Sequence, residues 1–285
     1  MLEIVWLFIG KEQVVYQKIL LALLVTFFGG FSSSSACSVV YYIDKNTHKI
    51  YVANNEDYWY DAKPYIKILP KSRKKLARLW YGWKNFAQGG INEAGLFFDG
   101  AVTPEQKIPA AHHKPKGNLG DDILAYCKTV DEAIDFMEVK RVALANAHMM
   151  FGDSTGNAAV LEWVDGKRKI VRIKDNKLVM TNFLLSDTTK GNYPCYRYNA
   201  IEKGLQELEK ESSVDLKKIG NVIARAVQPP RANEKGRIGG TLYSTFINIS
   251  DMQFVLVFKL DNSKIIRLNL KSEFKKRKKQ KIKLQ

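Results

Sequence analysis

The sequence predicts an α+β layered domain, two sheets with helices packed on their outer faces. Three observations carry this expectation. Runs of strand character flank the helical stretches, and Gly, Asn and Asp mark the turns between them. A chain of 285 residues that is 46% hydrophobic and 11% aromatic also has the apolar material for a large core.

A leader comes first. Residues 19–31 read ILLALLVTFFGGF after Lys18, and Ser34 and Ala36 then sit at the positions a signal peptidase inspects. Residues 1–36 are expected to be a secretory signal peptide, too short for a comfortable membrane span, and the protein to be exported, periplasmic or secreted. The stretch 1–17 is long and partly apolar for such a leader, which leaves a later start codon or a retained anchor open.

Cleavage after Ala36 makes Cys37 the first residue. One residue then carries a thiol and an α-amine, and an amine titrating at roughly 7.7 to 8.0 takes the thiol's proton and returns it in the next step. Two other readings stand beside this one: a cysteine that merely follows a leader, and a lipidated Cys37 whose amine is blocked. Against lipidation, the large aliphatic residue usual three positions before such a cysteine is missing, since the chain reads Ser34, Ser35, Ala36.

Residues 38–43 are β-branched and aromatic, 44–46 supply a turn, and 49–53 resume an extended pattern, so a hairpin opens the domain. Asn54, Asn55, Glu56 and Asp57 follow, at the strand end facing back toward Cys37, where a group holding the α-amine belongs. A solvated turn explains the same residues. Residues 63–84, with KSRKK at 71–75, read as a basic surface excursion; 89–100 as a glycine-rich turn and an apolar strand; 104–120 as a loop carrying exposed His112 and His113.

Residues 121–138 have a helical apolar period that includes Cys127, and Thr129 with Glu132 forms a capping box dividing it into two helices. Residues 147–183 read as four strands of an antiparallel meander ending at Asn182, whose amide suits a developing oxyanion. Two helices over 196–211 and 213–227 precede Pro229 and Pro230, and three strands follow over 241–249, 253–260 and 264–270.

Three cysteines make no disulfide scaffold; Cys127 and Cys195 are either a pair that leaves Cys37 unpaired or two buried thiols. The four histidines have no zinc-ligand spacing, so no metal is expected. The formal net charge is +16, but residues 271–285 hold eight basic side chains against Glu273. That stretch is expected to be a disordered tail with weak attraction for anionic surfaces. Without aromatic interleaving it gives no specific nucleic-acid function.

Several short motifs now fall in a fixed order: Cys37 after the leader, Asn54-Asn55-Glu56-Asp57, Gly90-Ile91-Asn92-Glu93-Ala94-Gly95-Leu96, Val179-Met180-Thr181-Asn182, Tyr193-Pro194-Cys195-Tyr196-Arg197-Tyr198, and Gly240-Thr241-Leu242-Tyr243-Ser244-Thr245. In that order the chain resembles the choloylglycine hydrolase and penicillin V acylase family, N-terminal-nucleophile hydrolases of linear amides. The resemblance implies a four-layer αββα fold over residues 37–270, no cofactor, and a small-molecule amide substrate with an apolar acyl group, of bile-salt, penicillin V or acyl-homoserine-lactone type. It leaves homo-oligomerisation open.

By the same resemblance Cys37 is the nucleophile, Asp57 the acid that positions the α-amine, and Asn182 an oxyanion-hole amide. One departure is plain: Asn54 stands where the family usually carries arginine, and Asn54 or Asn55 would replace its hydrogen bonds without its charge. A second family arginine, late in the chain, is provisionally set at Arg237. Trp59, Tyr60, Trp83 and Phe98 are candidates for the acyl pocket. Two rivals remain, a lipid-anchored envelope protein with an inactive version of the fold, and a cysteine enzyme pairing Cys127 or Cys195 with His148.

Overall fold

The computed structural model describes residues 37–285, and the leader expected over 1–36 lies outside the described residues. β1 (Ser38–Ile43) and β2 (Ile50–Trp59) form the predicted hairpin, in register from Ser38↔Asn55 to Ile43↔Ile50. Asp44 closes its turn by accepting from the Asn46 backbone N–H at 3.1 Å. On its other edge β1 pairs with β10 (Lys177–Met180), and β2 with β12 (Ile238–Asn248). β13 (Gln253–Phe258) and β14 (Ile265–Asn269) extend this sheet, and the two-residue β11 (Arg231–Ala232) lies against β12.

The second sheet runs β3 (Tyr65–Leu69), β4 (Arg78–Trp83), β5 (Phe86–Asn92), β6 (Phe97–Val102), β7 (Ala147–Gly152), β8 (Ala158–Val164) and β9 (Lys167–Arg172), with β15 (Gln280–Lys283) outside β3. α1 (Leu119–Tyr126) and α2 (Val130–Val139) cover this sheet; α3 (Tyr196–Leu208) and α4 (Leu216–Ala224) cover the first.

The two-residue period of the strands sorts the side chains into layers. Val39 and Tyr41 of β1 enter the core between the sheets with Ile66, Leu79 and Phe97, while Val40 and Tyr42 face Ile201, Leu205 and Ile219 of the helices. Trp80, Phe98 and Trp163 leave the second sheet the other way, against Ile123, Leu124 and Ile134. The expected αββα layering is therefore present. The capping box is present too: Thr129 accepts from Glu132 N at 3.2 Å, and the Glu132 carboxylate accepts from Lys128 N at 2.6 Å.

Four expectations are corrected. Residues 63–84 are not a surface excursion but β3 and β4, largely buried; the basic run at 71–75 is only the loop joining them. Gly89 and Gly90 lie within β5 rather than in a turn, and the turn comes later, at Gly95 with φ 85°. The fourth strand of the meander, β10, leaves its neighbours and joins the other sheet beside β1.

The fourth correction concerns the basic stretch 271–285, which is no disordered tail. It continues as α5 (Leu270–Lys275) and then β15, and pairs with β3 through Gln280↔Ile68 to Lys283↔Tyr65. The alternation Lys281, Ile282, Lys283, Leu284 exposes the lysines and turns Ile282 and Leu284 inward. The domain thus extends past residue 270, and the charge count concealed a strand with lysines along a sheet edge.

Candidate active site

β2 carries polar residues on both faces at the end beside Cys37, and the strand period decides where each points. Asn55 turns to the helical layer: its Nδ2 donates to Ile223 O of α4 at 2.9 Å, and its Oδ1 accepts from Ser244 Oγ at 2.7 Å. Asp57 turns the same way; Thr241 Oγ1 donates to its Oδ1 at 2.6 Å, and Arg197 Nη1 lies 3.9 Å from its Oδ2. Asn54 and Glu56 point into the space between the sheets, where Cys37 Sγ donates to Glu56 Oε1 at 3.4 Å.

Arg197 ties these pieces together from the first turn of α3. Its Nη1 donates to the Cys37 carbonyl at 2.8 Å and to Ser38 Oγ at 2.9 Å, and its Nη2 donates to Asn182 Oδ1 at 2.7 Å. The planar guanidinium fork suits this three-way role. Asn182 in turn donates from Nδ2 to Val102 O at 2.8 Å. Cys37, Asp57 and Asn182, separated by up to 145 positions in the chain, are therefore joined through one buried arginine.

Asn182 is held from behind by a second buried arrangement. His148 on β7 and Glu162 on β8 lie 3.1 Å apart with no solvent exposure, and His148 Nε2 donates to the carbonyl of Thr181 at 2.7 Å. Glu162 also accepts from Leu185 N and Ser186 N at 3.1 and 2.7 Å. Burial pushes the Glu162 carboxyl up, but the hydrogen bonds from His148 and Ser186 outweigh it and leave it below the ordinary carboxylate range. His148 is thus engaged at both ring nitrogens and joins neither Cys127 nor Cys195, which are buried, unbridged thiols.

Between the sheets, β2 and β12 of one face Tyr81 and Asp99 of the other. Tyr81 OH donates to Asp99 Oδ2 at 2.8 Å across β5, because the intervening Gly89 has no side chain. A Cβ there would stand 2.2 Å from Asp99 Oδ2 and 2.5 Å from the Tyr81 oxygen. Tyr243 lies opposite Glu56 and Thr245 opposite Asn54, so Cys37 borders a polar island inside an apolar sandwich.

Burial raises every acid here. The Cys37 thiol is pushed well above its usual value by burial first and by Glu56, Asp57 and Asp99 next, with the Asp57 backbone N–H working the other way. Burial lifts Glu56 and Asp99 well above the carboxylate range, and lifts Asp57 to about 7 against the pull of Thr241 and Arg197. A thiol held so high attacks nothing near neutral pH without a base.

The remaining candidates lie elsewhere. Arg237 is on the surface just before β12, in a two-pronged ion pair with Asp61 at 2.8 and 2.8 Å and 4.6 Å from the Trp59 ring centroid. It sits four residues from Thr241, roughly 13 Å of extended chain. Phe98 faces the helices on the far side of the second sheet, whereas Trp83 packs against Tyr58 in the inter-sheet core, ring centroids 4.5 Å apart and planes tilted by 33°. Tyr60 OH donates to Thr241 O at 3.2 Å. Sequence reasoning assigned no role to Asp99 or Arg197, and did not single out Glu56 among the four polar residues 54–57. Among the described residues no cluster of His, Cys, Asp and Glu is arranged to hold a metal ion.

Comparison with known proteins agrees with this fold. A penicillin V acylase from Pectobacterium atrosepticum is 26% identical over 192 residues, covering 54% of this chain and 50% of the relative, so the match spans about half the length of that curated protein. Among solved structures, penicillin V acylase from Agrobacterium tumefaciens superposes with a TM-score of 0.66 at 17% identity, covering 87% of this chain and 91% of the other. A conjugated bile acid hydrolase from Clostridium perfringens gives 0.64 at 14% identity, covering 86% and 96%. Residues 43–259 match the profile of the acyl-coenzyme A:6-aminopenicillanic acid acyl-transferases. The chain belongs to that family, and its αββα fold is the one shared by the penicillin V acylases and choloylglycine hydrolases that the sequence resembles.

Proposed function

We propose that this protein is a hydrolase of linear amides whose nucleophile is Cys37, exposed as the N-terminal residue of an exported chain by removal of residues 1–36. The observation that carries the reading is Arg197, which joins the Cys37 carbonyl to Asn182 and stands beside Asp57. The relatives named as a penicillin V acylase and a conjugated bile acid hydrolase support the reaction class.

The chemistry follows from those positions. The α-amine of Cys37 takes the thiol proton, and Sγ attacks the amide carbonyl to form a C–S bond. Asn182 donates to the oxyanion, and Arg197, by holding its Oδ1, fixes which end of that amide is the donor. The α-ammonium gives its proton to the departing amine as the C–N bond breaks. Water then adds to the thioester, the amine takes the water's proton, and breaking the C–S bond releases a carboxylic acid and restores the thiol. Asp57 steadies the α-ammonium. The raised thiol needs a base, and the α-amine is carried by the same residue as the sulfur.

The test is a release assay for free carboxylic acid from a panel of N-acyl amides, run on the parent, Cys37→Ser and Asp57→Asn. The expected result is loss of at least a hundredfold in both variants with the fold retained by circular dichroism; parental rates in Cys37→Ser would remove the assignment.

A further inference from the structure

The charge of the chain is not spread evenly along it. Residues 62–92 hold eight basic side chains and no acid, and residues 271–285 hold eight against Glu273, so these two stretches carry fifteen of the sixteen charges in the formal excess of +16. They lie far apart in the sequence, yet the pairing of β15 with β3 sets them side by side. Its register, Gln280↔Ile68, brings Lys278 and Lys279, just ahead of β15, to the end of β3 from which the loop 71–75 leaves. Paired strands are only about 4.8 Å apart. Further along, the same register sets exposed Lys281 opposite Lys67.

Most of this charge is uncompensated. Glu93 takes Lys71 at 3.1 Å, Glu273 takes Lys276 at 2.7 Å, and buried Arg78 pairs with Asp121. Arg73, Lys74, Arg277, Lys278 and Lys279 are exposed and make no ion pair among the described residues. Lysines on an edge strand keep other strands from adding to it, which accounts for Lys281 and Lys283. It does not account for Arg73 and Lys74 in a loop, or for Lys278 and Lys279 ahead of the strand, which add like charge at the same place. Such a concentration repels itself until an anionic partner meets it.

We propose that this edge of the second sheet is a docking face for an anionic phospholipid surface. Thirteen of the sixteen basic residues in the two stretches are lysines. These compact point charges suit a layer of headgroups with no fixed geometry, whereas nucleic-acid recognition favours the arginine fork and open aromatic rings. The rings here are covered: Lys281 Nζ lies 3.8 Å from the centroid of the Tyr65 ring and Lys67 Nζ 5.1 Å from that of Trp80, both buried. Because β15 and β3 hold the two stretches together, their charges meet a surface as one face rather than as a tail.

The test is flotation of the protein with vesicles of phosphatidylcholine, or of phosphatidylcholine with about one-third phosphatidylglycerol. Partition into the anionic vesicles is expected to be stronger by about tenfold or more, and to weaken as salt rises. Two triple variants, one with Arg73→Gln, Lys74→Gln and Lys75→Gln, the other with Arg277→Gln, Lys278→Gln and Lys279→Gln, are each expected to lower that partition by about tenfold with unchanged urea midpoints. A control triple, Lys203→Gln, Lys210→Gln and Lys217→Gln, removes the same charge from exposed positions of the helical layer on the other sheet and is expected to keep parental partition. Equal partition into both vesicles overturns the inference. So does an equal loss in the control triple, which would make net charge responsible rather than this face. A DNA duplex that strips the protein from anionic vesicles at equal phosphate concentration also overturns it and assigns the face to nucleic acid.

Discussion

Arg197 donates to the backbone carbonyl of Cys37 at 2.8 Å, an interaction between residues 160 positions apart that fixes the start of β1 against the helical layer. The same guanidinium holds Asn182 Oδ1, so Cys37 and Asn182 are spaced by one rigid plane.

Replacing Arg197 by alanine is therefore expected to cost about 3 to 5 kcal/mol, because it strands buried acceptors and Asp57 at once. Arg197→Lys keeps the charge but not the fork. Urea unfolding should place the lysine variant nearer the parent, while its kcat/KM still falls by about a hundredfold. Parental activity in Arg197→Lys would show that the three-way bridge is dispensable.

Asp57 gives a pH dependence with a defined sign. Burial raises its carboxyl from 3.8 to about 7. Between those values the folded chain keeps a proton that the unfolded chain has lost. Its contribution to stability is complete below about pH 4 and is lost as pH rises through 7. In a Cys37→Ala background, the urea midpoint of the Asp57 form should fall more between pH 5 and 8 than that of Asp57→Asn, and parallel profiles would contradict the assignment.

The pair His148 and Glu162 links two strands of one sheet to the segment leading to Asn182 from the other. Glu162→Ala leaves buried His148, and the backbone N–H groups of Leu185 and Ser186, without their acceptor, with an expected loss of about 3 to 5 kcal/mol by urea titration. A loss below 1 kcal/mol would mean the pair does little to hold the sheets together.

At the C-terminus, deletion of residues 277–285 uncovers the edge of β3 and removes Leu284 from the inter-sheet core. Leu284→Ala alone is expected to cost about 2 kcal/mol. Thermal scans of the truncated chain should shift down by several degrees; an unchanged midpoint would return the stretch to the status of a solvated tail.

These results locate where the sequence was readable. The hairpin, the capping box at Thr129 and the helix pair before Pro229 are local patterns, set by residues within a few positions of one another, and each appears as expected. Strands carrying charge were harder to see. Lysines at 71–75 and 275–283 outweighed the alternation around them, although Lys281-Ile282-Lys283-Leu284 has the period of an edge strand. The crossing of β10 to the other sheet depends on partners more than 130 residues away, which no local pattern encodes.

The site divides along the same line. Cys37 and Asn182 were legible from the leader and the strand pattern, and the resemblance gave Asp57 its role; the three meet through Arg197, which no local pattern separates from the rest of the Tyr193 to Tyr198 motif. Asp99 within LFFDGAV and Glu162 within AAVLEWV did carry a signal: a lone carboxylate in an apolar strand is expensive unless something meets it. Reading such residues as sites rather than as interruptions would have found both polar clusters.

The most direct test of Cys37 as an autonomous nucleophile is intact mass measurement with N-terminal sequencing of the protein recovered from outside the cytoplasm. A chain that begins at unmodified Cys37 is the predicted result. A chain that retains residues before Cys37, or one whose Cys37 amine carries an acyl group, lacks the base on which the reaction depends and would contradict the mechanism.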